Sequence, residues 1–290
     1  MSTPEQSYLV GLIGDGVEPS LSPPLHEAAA DAHHLRYLYR PVDLLTLGRD
    51  ASAVGALLRS GRDLGFNAFN ITHPCKQVAI DELDSLSEHA RRLGAVNTVL
   101  IRDGKLHGEN TDFFGFGFAL RTGLPDAPLG SVVQLGAGGA GSAVAYALLD
   151  AGVGHLALVD TDPDRCADRA TALAGHFPQA SVTAHAPAEV PGLLAAADGL
   201  VNATPVGMHQ HPGLPLDTAA LEPRHWVADV IYRPVDTELI RTASALGCRT
   251  LDGGHMAVGQ AVGAFTLITG IEPDAAAMRA HFLDMIERGL

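Results

Sequence analysis

Apolar and polar positions alternate along the first part of the chain in a way that predicts strands and helices in turn. Residues 8–14 form a short apolar run that ends at glycine, which predicts a buried strand followed by a loop. Residues 24–34 begin with proline and are rich in alanine, which favours a helix. The alternation then continues with predicted strands at residues 37–42 and 66–71 and predicted helices at residues 44–64 and 76–83. This order predicts parallel strands with ligands bound beyond their carboxyl ends.

The pattern changes near residue 95, where two short strand-like segments flank Asp103-Gly104 and predict a hairpin. A helix is predicted from residue 111, and a second alternating series starts at Ser131, with strands at residues 132–134, 156–160, 181–184, 199–202, 226–230 and 249–251. We therefore expect an α/β protein of two domains. The first is expected to comprise residues 1–111, completed by helices within residues 256–290, around a mainly parallel sheet. The second is expected to comprise residues 112–255.

Composition narrows the class of protein. The chain has 290 residues, of which 47% are hydrophobic, so wholesale disorder is excluded. A formal charge of -14 without a basic run argues against nucleic acid and anionic membranes as partners. No leader and no apolar run of the ~18 residues that a membrane span needs is present, so we expect a cytoplasmic protein, either a monomer or a homodimer.

Cysteine and histidine patterns predict no metal site and no disulfide framework. The three cysteines are widely separated, and no HExxH motif accompanies the fourteen histidines. Cys75 has no histidine–aspartate pattern that would make it a nucleophile, so we interpret it as structural.

A glycine-rich turn between a strand and an alanine-rich helix predicts dinucleotide binding. Gly136 allows the tight turn, Gly138 lets backbone N–H groups approach a pyrophosphate, and Gly141 permits close packing of helix on strand. The helix N-terminus adds a partial positive charge. The predicted cofactor-binding positions here are Gly136, Ala137, Gly138, Gly139, Ala140 and Gly141. We therefore expect residues 112–255 to form a Rossmann-type dinucleotide-binding domain, and residues 1–111 with the helices of residues 256–290 to form the substrate domain.

Asp160 stands about 20 residues beyond the last glycine, where a carboxylate can accept both ribose hydroxyls of adenosine. A 2′-phosphate would face Asp160 and Asp162, and the first arginine afterwards is Arg165. Charge repulsion therefore favours NAD over NADP as the cofactor.

Polar residues follow the predicted strand ends of the first domain, in a density that a purely structural sheet does not need. They supply hydroxyls, amides, one ammonium and one carboxylate, a set that suits a polyhydroxylated acid. These residues are Ser20, Ser22, Asn70, Thr72, Lys76, Asn97 and Asp112.

Seven short motifs follow one another along almost the whole chain. They are Ser20-Leu-Ser-Pro, Asn70-Ile-Thr-His-Pro-Cys-Lys, Gly94-Ala-Val-Asn-Thr, Glu109-Asn-Thr-Asp, Gly136-Ala-Gly-Gly-Ala-Gly, Asn202-Ala-Thr-Pro-Val-Gly-Met and Gly259-Gln-Ala. Together, in this order, they make the chain resemble the shikimate/quinate dehydrogenase family. Asp160 stands where the NADP-dependent branch of that family carries an Asn-Arg-Thr clamp, so the chain is most similar to the NAD-using branch.

The resemblance implies roles for individual residues. Lys76 and Asp112 would form the catalytic pair, and the proton acceptor is left open between them, although oxidation of an alcohol requires a base. The substrate carboxylate would be held by Ser20 and Ser22 with Tyr232. Ring hydroxyls would be bound by Thr72, Asn97 and Gln260, with Asn70 bracing the loop, and the nicotinamide side would be lined by Asn202, Thr204, Pro205 and Met208.

The implied activity is NAD-dependent interconversion of shikimate and 3-dehydroshikimate and of quinate and 3-dehydroquinate, with Ser22 favouring shikimate. Three alternatives stay open. The substrate is a related polyhydroxylated or amino-substituted ring acid; the chain is a dehydrogenase of another substrate class, such as a methylene-folate or amino-acid dehydrogenase; or it is a non-catalytic, NAD-linked sensor.

Overall fold

A six-stranded mixed sheet organises the first unit of the protein, which combines Met1–Thr111 with Gln260–Leu290. The computed structural model describes residues 7–290. The strands are β1 (Ser7–Gly14), β2 (Arg36–Asp43), β3 (Ala68–Ile71), β4 (Ser85–Leu86), β5 (Thr98–Arg102) and β6 (Lys105–Glu109). Their order is β2-β1-β3-β5-β6-β4. β5 runs antiparallel to both neighbours, and the other pairs are parallel. The predicted hairpin forms, with left-handed backbone at both Asp103 and Gly104.

The first four helices are α1 (Ser22–Ala32), α2 (Val54–Asp63), α3 (Cys75–Val78) and α4 (Glu88–Leu93). The helix predicted over residues 44–64 is wrong for residues 44–50, because the helical structure starts only at Ala51. There the Asp43 carboxylate accepts a hydrogen bond from the Leu45 N–H, and the chain forms a turn before Asp50 caps a short 3-10 segment. The helix predicted over residues 76–83 is split into α3 and the 3-10 turn Ala79–Glu82. α4 and β4 were not predicted, although Ser87 caps α4.

A six-stranded parallel sheet forms the second unit, Asp112–Gly259. Helices α5 (Thr111–Gly123), α6 (Gly139–Asp150), α7 (Pro163–His176), α8 (Val190–Leu194) and α9 (Glu238–Ala245) alternate with strands β7 (Ser131–Leu135), β8 (His155–Val159), β9 (Ser181–His185), β10 (Gly199–Asn202), β11 (Trp226–Asp229) and β12 (Arg249–Leu251). The strand order is β12-β11-β10-β7-β8-β9. This is the doubly wound order, whose switch point lies between β7 and β10, where such sheets bind ligands. The predicted α/β class with a Rossmann-type second sheet is confirmed.

Two C-terminal helices, α10 (Gly253–Thr269) and α11 (Ala275–Glu287), end the chain. Phe265 of α10 stacks on Tyr37 of β2, beside the buried His26. Among residues 7–290, no helix is both long and apolar enough to cross a membrane. Within that same stretch, no group of three histidine, cysteine or carboxylate side chains is arranged to hold a metal ion.

Candidate active site

The predicted substrate-side residues of the first unit gather at one edge of its sheet. The register pairs Ile13 with Ile71, and Thr98 with both Asn70 and Glu109. Because β5 is antiparallel, its amino end lies beside the carboxyl ends of β3 and β6. The loops after β1, β3 and β6 and the segment before β5 therefore meet at this edge, as expected for ligand binding in an open α/β sheet.

Asn70 is held entirely by protein groups. Its side chain is 7% exposed, and its Oδ1 accepts a hydrogen bond from the Tyr39 hydroxyl at 2.6 Å. Its Nδ2 donates to Thr98 Oγ1 at 2.9 Å and to the Asn97 carbonyl at 3.3 Å. These bonds tie β2, β3 and the start of β5 together, so the geometry is that of a bracing residue.

The segment around Asn97 connects the backbones that carry the predicted catalytic pair. The Val96 N–H donates to the carbonyl oxygen of Lys76 at 2.8 Å. The buried Asn97 Oδ1 accepts a hydrogen bond from the Thr111 N–H at 2.6 Å, and Thr111 directly precedes Asp112. One short segment therefore fixes both the helical turn of Lys76 and the N-terminus of α5.

The predicted carboxylate-binding loop follows β1. Ser20 and Ser22 are both half-buried, and the Ser20 hydroxyl accepts a hydrogen bond from the Ser22 N–H at 3.2 Å. This local hydrogen bond uses one lone pair of the Ser20 hydroxyl. Its hydroxyl proton stays available to donate to an anion.

Asp43, at the end of β2, shapes this loop and was not predicted. Its Oδ1 accepts from the Gly16 N–H at 3.0 Å and its Oδ2 from the Glu18 N–H at 3.2 Å. Burial alone would raise the pKa of Asp43, but the backbone N–H donors outweigh it and hold the pKa below its ordinary value. The only sequence signal was an acidic residue at the end of an alternating strand.

The other predicted substrate residues lie in both units. Thr72 is half-buried, and its backbone N–H donates to Ile13 O at 2.9 Å. Gln260 is half-buried on α10 in the first unit. Tyr232 follows β11 in the second unit and is 44% exposed. Cys75 is buried, and burial together with the charge of Asp15 raises the pKa of its thiol to about 11, which agrees with a structural role.

The glycine turn of the second unit has the geometry that its sequence predicts. Gly136 adopts a left-handed φ of +94°. A Cβ on Gly141 would lie 2.2 Å from the Gly136 carbonyl oxygen, so only glycine lets α6 approach the turn. Gly138 and Gly139 are exposed, and a Cβ on either would meet no heavy atom within 4 Å. The turn therefore offers open space in front of the α6 N-terminus, whose first N–H groups have no partner within the helix.

Gln134 on β7 clamps this turn and was not predicted. Its fully buried Nε2 donates to the carbonyl oxygens of Gly136 and Gly141, both at 2.8 Å. The sequence signal was a single amide within an otherwise apolar strand.

Asp160 follows β8 and is already engaged by protein groups. Its Oδ2 accepts from the Ala137 N–H at 2.7 Å and its Oδ1 from the Asp162 N–H at 3.0 Å. Arg165 forms an ion pair with it at 2.5 Å and also contacts Asp162. Burial would raise the pKa of Asp160, but the Arg165 hydrogen bond and the backbone donors lower it overall. Asp160 therefore shapes the glycine turn.

Asn202 braces the turn after β10. Its fully buried Nδ2 donates to Val206 O and to Asp229 Oδ1, both at 3.1 Å. Its Oδ1 accepts from the N–H and the hydroxyl of Thr204. Both N–H groups and both lone pairs are used within the protein, so the side chain sets the turn. Of the other predicted residues in this turn, Pro205 is exposed, and Thr204 and Met208 are half-buried.

Comparisons with known proteins agree with this geometry. Residues 12–99 match the family described as the shikimate dehydrogenase substrate binding domain. Shikimate dehydrogenase (NADP(+)) of an Arthrobacter species is 64% identical over 99% of this chain and 98% of its own length. Quinate/shikimate dehydrogenase (NAD(+)) of Corynebacterium efficiens is 49% identical over 96% of this chain and 99% of its own.

The solved structure of quinate dehydrogenase from Corynebacterium glutamicum in complex with NAD superposes with a TM-score of 0.92. It is 48% identical in sequence, and the match covers 96% of this chain and 99% of that one. Identity at this level over nearly the whole length shows common descent as well as a common fold, and the chain belongs to the shikimate dehydrogenase family.

Proposed function

We propose that the protein is an NAD-dependent dehydrogenase that interconverts shikimate with 3-dehydroshikimate and quinate with 3-dehydroquinate. The observation that carries the proposal is the hydrogen-bonded segment around Asn97, which ties the Lys76 backbone to the residue before Asp112. An ammonium and a carboxylate held in this way can manage the proton of a secondary alcohol.

The second unit fits a dinucleotide. Gly138 and Gly139 leave room for a pyrophosphate in front of α6, and Asp160 lies at the end of the neighbouring strand. When bound, the nicotinamide supplies the acceptor for the hydride that leaves the alcohol carbon. Residues 202–208 lie at the same switch point and would line the nicotinamide end of the bound coenzyme.

The protein residues handle the proton. As the C–H bond breaks with its electron pair, the O–H bond must also break to leave a neutral ketone. Lys76 and Asp112 together hold the hydroxyl and take up this proton, which passes on to solvent. In the reverse direction they return it to the carbonyl oxygen. The proton acceptor is assigned to the pair and not to one member.

Substrate recognition uses neutral polar groups. Ser20 and Ser22, with Tyr232, hold the carboxylate, and Thr72, Asn97 and Gln260 hold ring hydroxyls. Because hydroxyl donors bind an anion more weakly than a guanidinium does, both ring acids are accepted. The smaller Ser22 side chain favours shikimate.

The choice of NAD follows from charge. The names of the relatives divide between the two coenzymes, so the argument rests on this chain. Arg165 is paired with both Asp160 and Asp162, and Asp164 adds a further exposed carboxylate. A 2′-phosphate would enter a locally negative region, whereas ribose hydroxyls donate to a carboxylate.

Steady-state kinetics with shikimate and quinate, each with NAD and NADP, test the proposal. We expect turnover of both acids, higher kcat/KM with shikimate, and at least tenfold higher kcat/KM with NAD. No reduction of either coenzyme with either acid would refute the proposal. Turnover only of an amino-substituted ring acid, or coenzyme binding without turnover of any acid, would favour the corresponding alternative.

Two matched substitutions separate chemistry from binding. Lys76→Ala should lower kcat by at least a hundredfold while NADH binding is retained, because general acid–base groups contribute about 10²–10⁴-fold. The chain has one other lysine, Lys105. It is exposed at the amino end of β6, whereas the predicted site lies at the carboxyl end of that strand. Lys105→Ala is therefore the control and should keep the kcat of wild type. Equal kcat values for the two variants would remove Lys76 from the mechanism.

A second pair of variants tests coenzyme choice. Asp160→Asn removes the charge but keeps an acceptor for the Ala137 N–H. It should lower the ratio of kcat/KM with NAD to kcat/KM with NADP about tenfold. Asp168→Asn, on the exposed side of α7, changes the net charge equally and should leave the preference unchanged. An unaltered preference in Asp160→Asn would contradict the electrostatic argument.

A further inference from the structure

A buried carboxylate without a predicted role joins three segments of the second unit. Asp229 is the last residue of β11 and is the register partner of Asn202, the last residue of β10. It is 2% exposed. Its Oδ1 accepts hydrogen bonds from Asn202 Nδ2 at 3.1 Å and from the Ile231 N–H at 3.0 Å, and its Oδ2 accepts from the Thr237 hydroxyl at 2.8 Å.

The carboxylate helps to set which way the Asn202 amide faces. An ionised carboxylate only accepts hydrogen bonds, so it selects the NH₂ end of the amide. A flipped amide would set its one oxygen against both Asp229 Oδ1 and the Val206 carbonyl oxygen, and its NH₂ group against the Thr204 N–H. Asp229, the Val206 carbonyl and the Thr204 N–H therefore hold the orientation together, and Asp229 is the only charged group among these three.

That turn forms one wall of the glycine turn. The Ala203 N–H donates to Leu135 O at 2.8 Å, and a Cβ on Gly136 would lie 2.7 Å from the Ala203 carbonyl oxygen. Because the two turns are packed this closely, a shift of residues 203–206 displaces the backbone of Gly136. On the other side of Asp229, the Ile231 and Thr237 bonds hold the loop that carries Tyr232.

We propose that Asp229 is a positioning residue for coenzyme binding, which acts through the Asn202 amide on the turn at residues 203–206 and so on the glycine turn. The proposal rests on the proposed function, because it assigns the coenzyme to this switch point. Burial raises the pKa of Asp229 to about 6 against the opposing effect of its three donors, so the carboxylate is ionised at neutral pH.

Three variants test this position against a merely structural role. Asp229→Ala leaves the Asn202 amide, the Ile231 N–H and the Thr237 hydroxyl without their acceptor and should raise the Kd for NADH at least tenfold. Asp229→Asn keeps an acceptor for Asn202 and Ile231 and can donate to the Thr237 hydroxyl, so it should bind NADH within about threefold of wild type. Asp198→Ala is the matched control. The Asp198 carboxylate also accepts a backbone hydrogen bond, from the Ser131 N–H, but it lies at the amino ends of β7 and β10, away from the glycine turn.

The measurements are fluorescence titration with NADH, well below the unfolding midpoint of each variant, and steady-state KM and kcat. Asp198→Ala should lower the midpoint and leave the Kd unchanged. If Asp229→Ala lacks a cooperative thermal transition, Asp229→Ser is titrated with the same tenfold threshold. For Asp229→Ala, the KM for NAD should rise by a larger factor than kcat falls.

Three results would each overturn the proposal: an unchanged Kd in the truncated Asp229 variant, an equal rise in the Kd of Asp198→Ala, or a Kd of Asp229→Asn that rises as much as that of the truncated variant. Failure of the proposed function is distinguishable, because it would appear in the wild-type protein, as no binding of NADH and NADPH or as no turnover of either acid, whereas failure of this proposal appears only when the Asp229 variants are compared with wild type.

Discussion

Replacing Gly141 by alanine tests the link between the glycine turn and coenzyme binding most directly. The added Cβ would lie 2.2 Å from the Gly136 carbonyl oxygen, 2.9 Å from the Gly136 carbonyl carbon and 3.2 Å from Gln134 Nε2. Two of these three atoms are backbone and cannot rotate away. The N-terminus of α6 must therefore move outward from the turn.

The size of the movement sets the expected effect. The Cβ falls about 1 Å short of an ordinary van der Waals contact, so α6 and its first N–H groups shift by about that distance. A displacement of about 1 Å in a well-positioned site lowers the reaction rate by up to roughly a hundredfold. A loss of similar size is expected for the affinity of the coenzyme. We expect the Kd for NADH to rise ten- to a hundredfold, which is about 1.4–2.8 kcal/mol. Overpacking should also lower the free energy of unfolding by ~1–3 kcal/mol.

Fluorescence titration with NADH and urea unfolding measure the two effects. Gly175→Ala, on the exposed side of α7, is the matched control, because the same methyl group there meets no heavy atom within 4 Å and φ is not left-handed. It should change the Kd less than threefold. If Gly141→Ala binds NADH as tightly as wild type, the close approach of α6 is not what forms the site.

Three further predictions concern the first unit. Asp43→Ala should raise the KM for shikimate about tenfold and leave the Kd for NADH unchanged, because it frees the Gly16 N–H and loosens the loop after β1; a change in both constants would refute a local role. Tyr39→Phe leaves the buried Asn70 oxygen without its donor, so urea unfolding should show a loss of ~1–3 kcal/mol, and no loss would contradict the bracing role. Burial lowers the pKa of His26 to about 3 from 6.5. Its contribution to stability is therefore full above pH 6.5 and is lost as the pH falls towards 3, by up to ~1.4 kcal/mol per pH unit, and His26→Gln should flatten that part of the stability–pH curve.

Local sequence patterns predicted the structure best where a particular backbone geometry requires one residue type. Asp103-Gly104 predicted a hairpin, and both residues have the left-handed backbone that such a turn requires. Gly136 and Gly141 predicted a tight turn with a close helix, and the contacts that a Cβ would make explain both glycines. These features involve neighbours in sequence, so short motifs contain them.

Residues that act across the sheet were missed because their partners are distant in sequence. The partners of Asp43 at Gly16 and Glu18 lie 27 and 25 residues away, and Asn202 and Asp229 are 27 residues apart. A single acidic residue at a strand end has no periodicity that indicates such a bond. The helix predicted from residue 44 starts too early for a related reason. The Leu45 N–H donates to the Asp43 carboxylate, so the chain forms a turn there instead of a helix.

By itself, the sequence determined the α/β order of elements, the glycine turn and the polar residues that follow the strands, because hydrophobic periodicity and turn chemistry are local properties. Only the tertiary structure decided how those polar groups are used. It assigned Asn70 and Asn202 to bracing bonds, paired Arg165 with Asp160, and made Asp43 and Asp229 the carboxylates that hold the surrounding loops. A buried polar group must find its partners wherever the fold brings them, and strand register sets that meeting.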